Sequence, residues 1–301
     1  MTELPAATLD TLVDALRSVR DGDREAALEH ARSVQDRSLL GRALADHLLR
    51  PADEPVYDSP AAFQAFVRGG GNIELYDRTV DVLAGSYRSG TLLDIGCGDG
   101  RALVPALLQA GDAAPDRVDL VEPSEALLRA CRNDLSLRFP DLPVRAAAQG
   151  LTEALADPDT ADVTWDLAQS TFALQSVEPD ERAACLRALA PRVGELVVVD
   201  FDVDHPPAGS DAHLRDRAER WERGLAEYDA DRALVAQGFL VPVLLGQIAP
   251  ADPSTARTNW EHPAAHWAQQ VTDAGFTDVR VERLCDYWSS PAFVLRATGS
   301  R

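Results

Sequence analysis

The chain has 301 residues, of which 46% are hydrophobic and 26% charged, so it is long enough to bury a large core. Its formal net charge of −20, from 49 acidic and 29 basic residues, repels a phosphate backbone and disfavours a nucleic-acid partner. The sequence has neither an apolar run of about eighteen residues nor a basic, then apolar start, so we expect a cytoplasmic protein with no membrane contact and a small-molecule partner.

The amino-terminal part predicts a helical region. Apolar residues recur at helical spacing over the first fifty residues, and turn signals at Asp21-Gly22-Asp23 and over 50–55 divide them into two or three helices. A further helical segment, 60–83, is interrupted by Gly69-Gly70-Gly71-Asn72. This interruption fits either an anion-binding nest or a corner between two helices.

From residue 91 onwards strands alternate with helices, which predicts an α/β fold with a doubly wound, mostly parallel, seven-stranded sheet. The predicted strands are Thr91–Ile95, Arg117–Val121, Val144–Ala147, Trp165–Gln169, Glu195–Phe201, Val279–Leu284 and Ala292–Ala297. The predicted helices lie around 101–110, 124–136, 151–156, 179–191 and 263–274, the last ending at Gly275. We divide the chain into an N-terminal helical cap (1–88), an α/β core (89–205), a helical cap insertion (206–260) and the end of the core with a closing β-hairpin (261–301).

The most informative motif joins the first strand to the following helix. Asp94 ends the strand, and Gly96-Cys97-Gly98-Asp99-Gly100 form a glycine turn. Glycines permit positive φ and remove the Cβ atoms that would keep a ligand from the backbone. The amides that begin the next helix favour a carboxylate.

This segment resembles motif I of class I S-adenosylmethionine-dependent methyltransferases, which is of the D-x-G-x-G-x-G type. The competing nicotinamide fingerprint, G-x-G-x-x-G, has another glycine spacing and is disfavoured. The resemblance implies a Rossmann-like methyltransferase fold with S-adenosylmethionine as cofactor. Its motif I positions here are Asp94, Gly96, Cys97, Gly98 and Gly100.

The resemblance also implies cofactor contacts at the ends of the later strands. Glu122, followed by Pro123, stands where such folds place a carboxylate for the ribose hydroxyls. The adenine is expected beside the loop after the third strand, and the end of the fourth strand lines the cofactor and acceptor gap. The residues at these two places are Gln149, Gly150, Leu151, Gln169 and Ser170. The fourth strand lacks the N/D-P-P-Y/F tetrapeptide of enzymes that methylate base amines.

Three regions are candidates for the acceptor side. Tyr76, after the glycine interruption, is a candidate to cap the methionine carboxylate. The segment Asp200–Pro207 offers carboxylates to the sulfonium or a metal and His205 as a base, or is a solvated acidic loop. Near the last helix, His262 is the expected N-cap and His266 lies one turn later, as a metal pair or as a base beside Trp267.

The predicted activity is methyl transfer to a small molecule, with the acceptor atom left open. The paired histidines and the glycine interruption resemble actinobacterial natural-product methyltransferases, including those that C-methylate α-keto acids. That resemblance implies a divalent metal stabilising an enolate, with Arg257 clamping the substrate carboxylate. Alternatives are O- or N-methylation by a histidine base without metal, and a non-catalytic S-adenosylmethionine-binding protein. A homodimer is a further expectation, since the apolar residues of the caps could form a contact.

Overall fold

The computed structural model describes residues 4–50, 60–160, 162–204, 206–248 and 259–301. The described residues divide into two compact units. The helical unit takes them from Met1–Ile73, Asp204–Ala256 and Tyr287–Ser289. The sheet unit takes them from Glu74–Val203, Arg257–Asp286 and Ser290–Arg301.

The elements follow the predicted order, with three helices before residue 50 and strands from residue 91. The described helices are α1 (Ala6–Arg20), α2 (Arg24–Val34), α3 (Leu39–Leu48), α4 (Pro60–Arg68), α5 (Asn72–Ser86), α6 (Leu103–Ala110), α7 (Glu125–Arg138), α8 (Leu151–Ala156), α9 (Pro179–Leu189), α10 (Asp211–Ala226), α11 (Arg232–Val235), α12 (Val241–Ile248) and α13 (Ala264–Asp273). The described strands are β1 (Thr91–Ile95), β2 (Arg117–Val121), β3 (Val144–Ala147), β4 (Trp165–Thr171), β5 (Val193–Phe201), β6 (Thr277–Cys285) and β7 (Ala292–Thr298).

The helical unit joins segments that are far apart in the sequence. Its apolar core takes residues from α1, α2 and α3 together with α10 and α12. The carboxylate of Glu222 on α10 accepts hydrogen bonds from the Ser38 hydroxyl at 2.7 Å and from the amide of Leu40 at 2.8 Å. It therefore satisfies donors at the start of α3 that would otherwise lack partners.

The described part of the sheet unit contains one seven-stranded sheet in the order β3-β2-β1-β4-β5-β7-β6. The pairs from β3 to β5 are parallel, and β7 is antiparallel to both β5 and β6. Alternate residues of one strand enter different clusters: Leu93 packs with residues of α8, α9 and α13, whereas Leu92 packs with residues of α5, α6 and α7. Because successive strand side chains point to opposite faces, the sheet is covered on both sides. The predicted fold class is confirmed.

The predicted start of the last helix is wrong by a residue. We expected Pro263 as the first helical residue and His262 as the N-cap, but α13 begins at Ala264 with Pro263 as N-cap, at ψ 146°. The carboxylate of Asp202 accepts the Ala264 amide at 2.8 Å, so a side chain distant in sequence caps the helix. Gly275 follows the helix with φ +101°, as expected of a glycine at that place.

No helix within the described ranges combines the length and the apolar character that crossing a bilayer requires.

Candidate cofactor site

The glycine turn after β1 leaves the backbone open to a ligand. Gly96 has φ +69°, and a Cβ there would lie 2.2 Å from the Cβ of Ala173. Gly98 has φ +56°, and a Cβ there would meet no atom within 4 Å. Gly96 therefore allows a close approach of two chain segments, whereas Gly98 borders open space.

Glu122 is tied to this turn. Its side chain is buried, with 8% of the residue exposed. One carboxylate oxygen, Oε2, accepts the amide of Gly98 at 3.0 Å, and Oε1 accepts the amide of Ser124 at 2.9 Å. Two backbone donors thus fix the carboxylate, and each oxygen keeps a further lone pair for a ligand hydroxyl.

Asp94 lies beneath the turn as a buried carboxyl group, 2% exposed. Burial raises its pKa to about 7, an effect that the amide of Gln169 partly offsets and the charge of Glu122 reinforces. Its Oδ1 accepts no hydrogen bond from the described residues. The oxygen of the Gln169 amide accepts the Tyr87 hydroxyl at 3.0 Å, which anchors β4 to the chain before β1.

A cavity of about 670 Å³ opens at the carboxyl ends of β1, β2 and β4. Eight of the residues predicted to bind cofactor line it: Tyr76, Gly96, Cys97, Gly98, Glu122, Pro123, Gly150 and Leu151. Five do not line it: Asp94, Gly100, Gln149, Gln169 and Ser170. The buried Asp94, Gln169 and Ser170 belong to the strands below the cavity.

The side chains that line this cavity carry more negative than positive charge. Among the described residues that line it are four carboxylates and one guanidinium: Asp99, Glu122, Glu153, Glu181 and Arg101. A cation is therefore favoured over a polyanion. The guanidinium of Arg101 lies 5.1 Å from the ring centre of Tyr76, so positive charge is localised at the glycine turn.

Known proteins share this architecture at low sequence identity. No protein-family model and no curated protein matches the chain. The solved magnesium protoporphyrin IX methyltransferase ChlM from Synechocystis PCC 6803, with bound SAH, has 16% identity over 80% of this chain and 94% of its own, with a TM-score of 0.50. A possible exported protein from Bordetella parapertussis has 16% identity over 98% of this chain and 97% of its own, with a TM-score of 0.53.

The chain has the fold of the class I methyltransferases. The predicted resemblance is thus confirmed at the level of fold. In this methyltransferase fold the cavity lies beside the glycine turn, where sequence analysis expected the cofactor.

Sequence reasoning missed several lining residues. Arg101 directly follows the last glycine of motif I, so its position could have indicated it. Phe172 lines the cavity with φ +55°, a conformation that no residue pattern around it indicates. The hydroxyl of Thr152 donates to the carboxylate of Glu181, which joins α8 to α9 at the wall of the cavity.

Only some of the predicted adenine-binding residues after β3 line the cavity. Gly150 is the N-cap of α8, with ψ 165°, and Leu151 begins that helix. Both line the cavity, whereas the side chain of Gln149 does not. The assignment of Gln149 to the adenine edge stays a prediction.

The two histidines lie together in the sheet unit. The imidazole rings of His262 and His266 are stacked, with centroids 4.2 Å apart and an interplanar angle of 25°. The carbonyl of His262 accepts the amide of Val203 at 3.2 Å, which fixes this segment beside the end of β5. Neither histidine is among the residues that line the 670 Å³ cavity.

The carboxylates of Asp200 and Asp202, at the end of β5, accept hydrogen bonds from backbone amides. Asp200 is buried, and its carboxylate accepts the amide of Phe201 at 2.8 Å. Burial raises the pKa of Asp200 to about 7. Asp202 caps α13, as described above. His205 and Arg257, predicted as base and carboxylate clamp, lie outside the described residues.

Within the described residues no group of three or more His, Cys, Asp or Glu side chains is arranged to hold a metal ion. His262 and His266 therefore have no third protein ligand in this part of the chain.

The glycine interruption forms a helix–helix corner within the helical unit. The amide of Gly71 donates to Oε2 of Glu227 at 2.8 Å. The Asn72 amide nitrogen donates to the carbonyl of Phe66 at 2.9 Å, and its oxygen accepts the Tyr287 hydroxyl at 3.1 Å. A carboxylate of the chain thus occupies the nest that sequence analysis considered for an external anion.

Proposed function

We propose that the chain is an S-adenosylmethionine-dependent methyltransferase acting on a small molecule. The observation that carries this proposal is the buried Glu122 carboxylate, held by the amides of Gly98 and Ser124 at the rim of the cavity. A fixed carboxylate beside an open glycine turn suits a ribose with two vicinal hydroxyls. S-adenosylmethionine would supply an electrophilic methyl group on a positively charged sulfur.

The remaining parts of the cofactor fit the residues around the cavity. Arg101 carries the charge complementary to the methionine carboxylate, with the hydroxyl of Tyr76 as a neutral donor, because burial raises its pKa. Leu151 and the backbone at Gly150 would flank the adenine.

The charge of the cavity favours this cofactor over a nicotinamide dinucleotide. S-adenosylmethionine has a net positive charge, whereas a dinucleotide carries a pyrophosphate. Four carboxylates against one guanidinium among the described lining residues would repel the pyrophosphate.

For the acceptor we propose O- or N-methylation, with His262 or His266 as the base. Their stacked rings lie beside the end of β5, at the edge of the sheet where the cavity also opens. C-methylation of an α-keto acid through a metal-stabilised enolate would need a third ligand beyond these two histidines. The described residues do not supply it, so O- or N-methylation is the better supported of the two. A natural-product acceptor is the class we would test first.

The test is calorimetric titration with S-adenosylhomocysteine and, separately, with NADH. We expect binding of the first in the micromolar range and no binding of the second. Arg101→Gln should weaken S-adenosylhomocysteine binding by on the order of tenfold, because a charge-assisted hydrogen bond is lost. Arg129→Gln, at an exposed position of α7, is the matched control.

Binding of NADH alone would overturn the proposal. Binding of S-adenosylhomocysteine without transfer of labelled methyl groups to any acceptor in a panel of hydroxyl, amine and keto-acid compounds would favour the non-catalytic alternative.

A further inference from the structure

One wall of the cavity is the loop after β4, residues 172–177, which we call the β4 loop. Phe172, Ala173, Leu174, Ser176 and Val177 all line the cavity. The loop begins with Phe172 at φ +55°, a strained backbone conformation for a residue other than glycine, which persists only where the surroundings enforce it. Some other part of the sheet unit must therefore hold the loop in place.

The front of the loop is held by packing. Ala173 fills the space that Gly96 leaves free, and the ring of Phe172 stacks on Phe201 with centroids 5.1 Å apart. Packing restricts where the side chains lie, but it provides no directional contact to the carbonyl groups of the loop. The carbonyl of Gln175 accepts the amide of Trp260 at 2.8 Å, and the carbonyl of Leu174 is the one that a side chain of α9 reaches.

The back of the loop is held by Arg182 of α9, whose side chain is 0% exposed. Its Nη1 donates to the carbonyl of Leu174 at 3.2 Å, and its Nε donates to Oε1 of Gln270 on α13 at 2.7 Å. Its guanidinium carbon lies 4.0 Å from the ring centre of Trp267. Gln270 in turn donates to the carbonyl of Pro179, at 2.9 Å.

Burying the charged guanidinium of an arginine costs free energy, so the need to fill volume does not explain this residue. Burial lowers the pKa of Arg182 to about 10, and its Nη2 donates to none of the described residues. An apolar side chain of similar size would usually be tolerated as well as a buried charge or better. What an apolar side chain lacks is a rigid set of donors that reaches the Leu174 carbonyl and Gln270 together.

We propose that Arg182 is a positioning residue, which fixes the β4 loop through the Leu174 carbonyl and thereby shapes the cofactor wall of the cavity. For the identity of the ligand this inference rests on the proposed function. Arg182 is not among the residues that line the cavity, so it acts through the loop.

The first experiment needs no ligand. Amide hydrogen exchange is measured by NMR in the full chain for Arg182→Met and for Arg187→Met, an exposed position on the same helix. We expect the amides of Ser176 and Val177, which donate to the carbonyls of Ala173 and Leu174, to exchange at least about tenfold faster in Arg182→Met only. Unchanged exchange at these amides, or faster exchange spread evenly over the sheet, would overturn the proposal.

The second experiment is titration with S-adenosylhomocysteine. Arg182→Met should bind it on the order of tenfold more weakly than the wild type, and Arg182→Lys should lie between them, because lysine keeps the charge but loses the planar set of donors. If wild type and Arg182→Met bind equally, the positioning role fails while the proposed function stands. If the wild type itself does not bind, the proposed function fails, and the exchange experiment still decides on Arg182.

Gln270→Leu serves if Arg182→Met does not fold. It removes the acceptor of the Arg182 Nε and the donor to Pro179 while the arginine remains. We expect the same local increase in exchange at Ser176 and Val177, to a smaller extent. Exchange at the wild-type rate would overturn the proposal.

Discussion

The carboxyl ends of β1 and β2 differ instructively from the carboxyl end of β5. Each region holds a buried aspartate, Asp94 or Asp200, whose pKa burial raises to about 7. After β1 and β2 the neighbouring Glu122 lines a cavity, and the glycine turn leaves space beside it. After β5 the carboxylates of Asp200 and Asp202 accept the backbone amides of Phe201 and Ala264, and neither lines that cavity.

The difference indicates that a carboxylate after a strand can face a ligand only where the following chain leaves room. Glu122 also accepts backbone amides, yet glycines border it on one side. At β5 the start of α13 takes the Asp202 carboxylate as its cap. Four changes test this contrast.

The largest effect is expected at Gly96. In Gly96→Ala the new Cβ would lie 2.2 Å from the Cβ of Ala173, at φ +69°, so the glycine turn and the β4 loop must separate. We expect S-adenosylhomocysteine affinity to fall by about a hundredfold or more, with a loss of stability of about 3 kcal/mol or more. Calorimetry and urea unfolding measure both effects. The control Gly85→Ala, in an exposed helical position with no atom within 4 Å, should stabilise the chain by about 0.5–1 kcal/mol.

The next effect is expected at Glu122. Glu122→Gln removes the charge that holds the amides of Gly98 and Ser124 and that would bind the ribose. S-adenosylhomocysteine affinity should fall by about 10- to 100-fold, the range for hydrogen bonds to a charged group. Glu125→Gln, exposed in the first turn of α7, should leave affinity unchanged. Equal affinities of the two variants would remove Glu122 from the site.

Asp94 predicts a dependence of stability on pH. Its pKa is about 7 in the folded chain against 3.8 as the ordinary value, so between these pH values the folded state holds a proton that the unfolded state has lost. The contribution of Asp94 to the free energy of unfolding is therefore fully present below pH 3.8 and is lost as the pH rises to 7. Between pH 5 and 7 the wild type should lose about 2 kcal/mol relative to Asp94→Asn. The unfolding free energy of both proteins is measured by urea unfolding at several pH values between 5 and 7. The same change with pH in both would show that Asp94 is not protonated in the folded chain.

The smallest effect is expected after β5. Asp202→Ala removes the cap of the Ala264 amide and should cost about 1 kcal/mol of unfolding free energy. S-adenosylhomocysteine affinity should stay within a factor of about two, because Asp202 does not line the cavity. Asp204→Ala, two residues further on, is the control. A large loss of affinity in Asp202→Ala would place β5 within the cofactor site and erase the contrast.

Local patterns predicted much of the fold. The bounds of β1, β2, β3 and α8 agree with the predicted ones, because short apolar segments and the turns between them act over short distances. β4 and β5 extend two residues beyond the predicted bounds at one end, since strand ends depend on the partner strand.

The remaining features depend on residues distant in sequence. Nothing near Phe172 indicates its positive φ, which the surrounding sheet unit imposes. Arg182 stands among charged residues in a helix whose sequence predicts that its charged side chains face solvent. It is nevertheless buried against Trp267. Glu227 fills the turn at Gly71 from 156 residues away, which no local pattern could reveal.

The cap that Glu222 provides for α3 has a consequence for how the chain is made. Ser38 leaves the ribosome 184 residues before its partner does. At a synthesis rate of about 5–20 residues per second, the first three helices wait roughly 10–40 s for the segment that completes their core. During that interval the apolar residues of these helices lack the partners that α10 and α12 provide. The strands β1 to β5 are synthesised in the meantime. The helical unit, although it begins at the amino terminus, is thus completed late in translation.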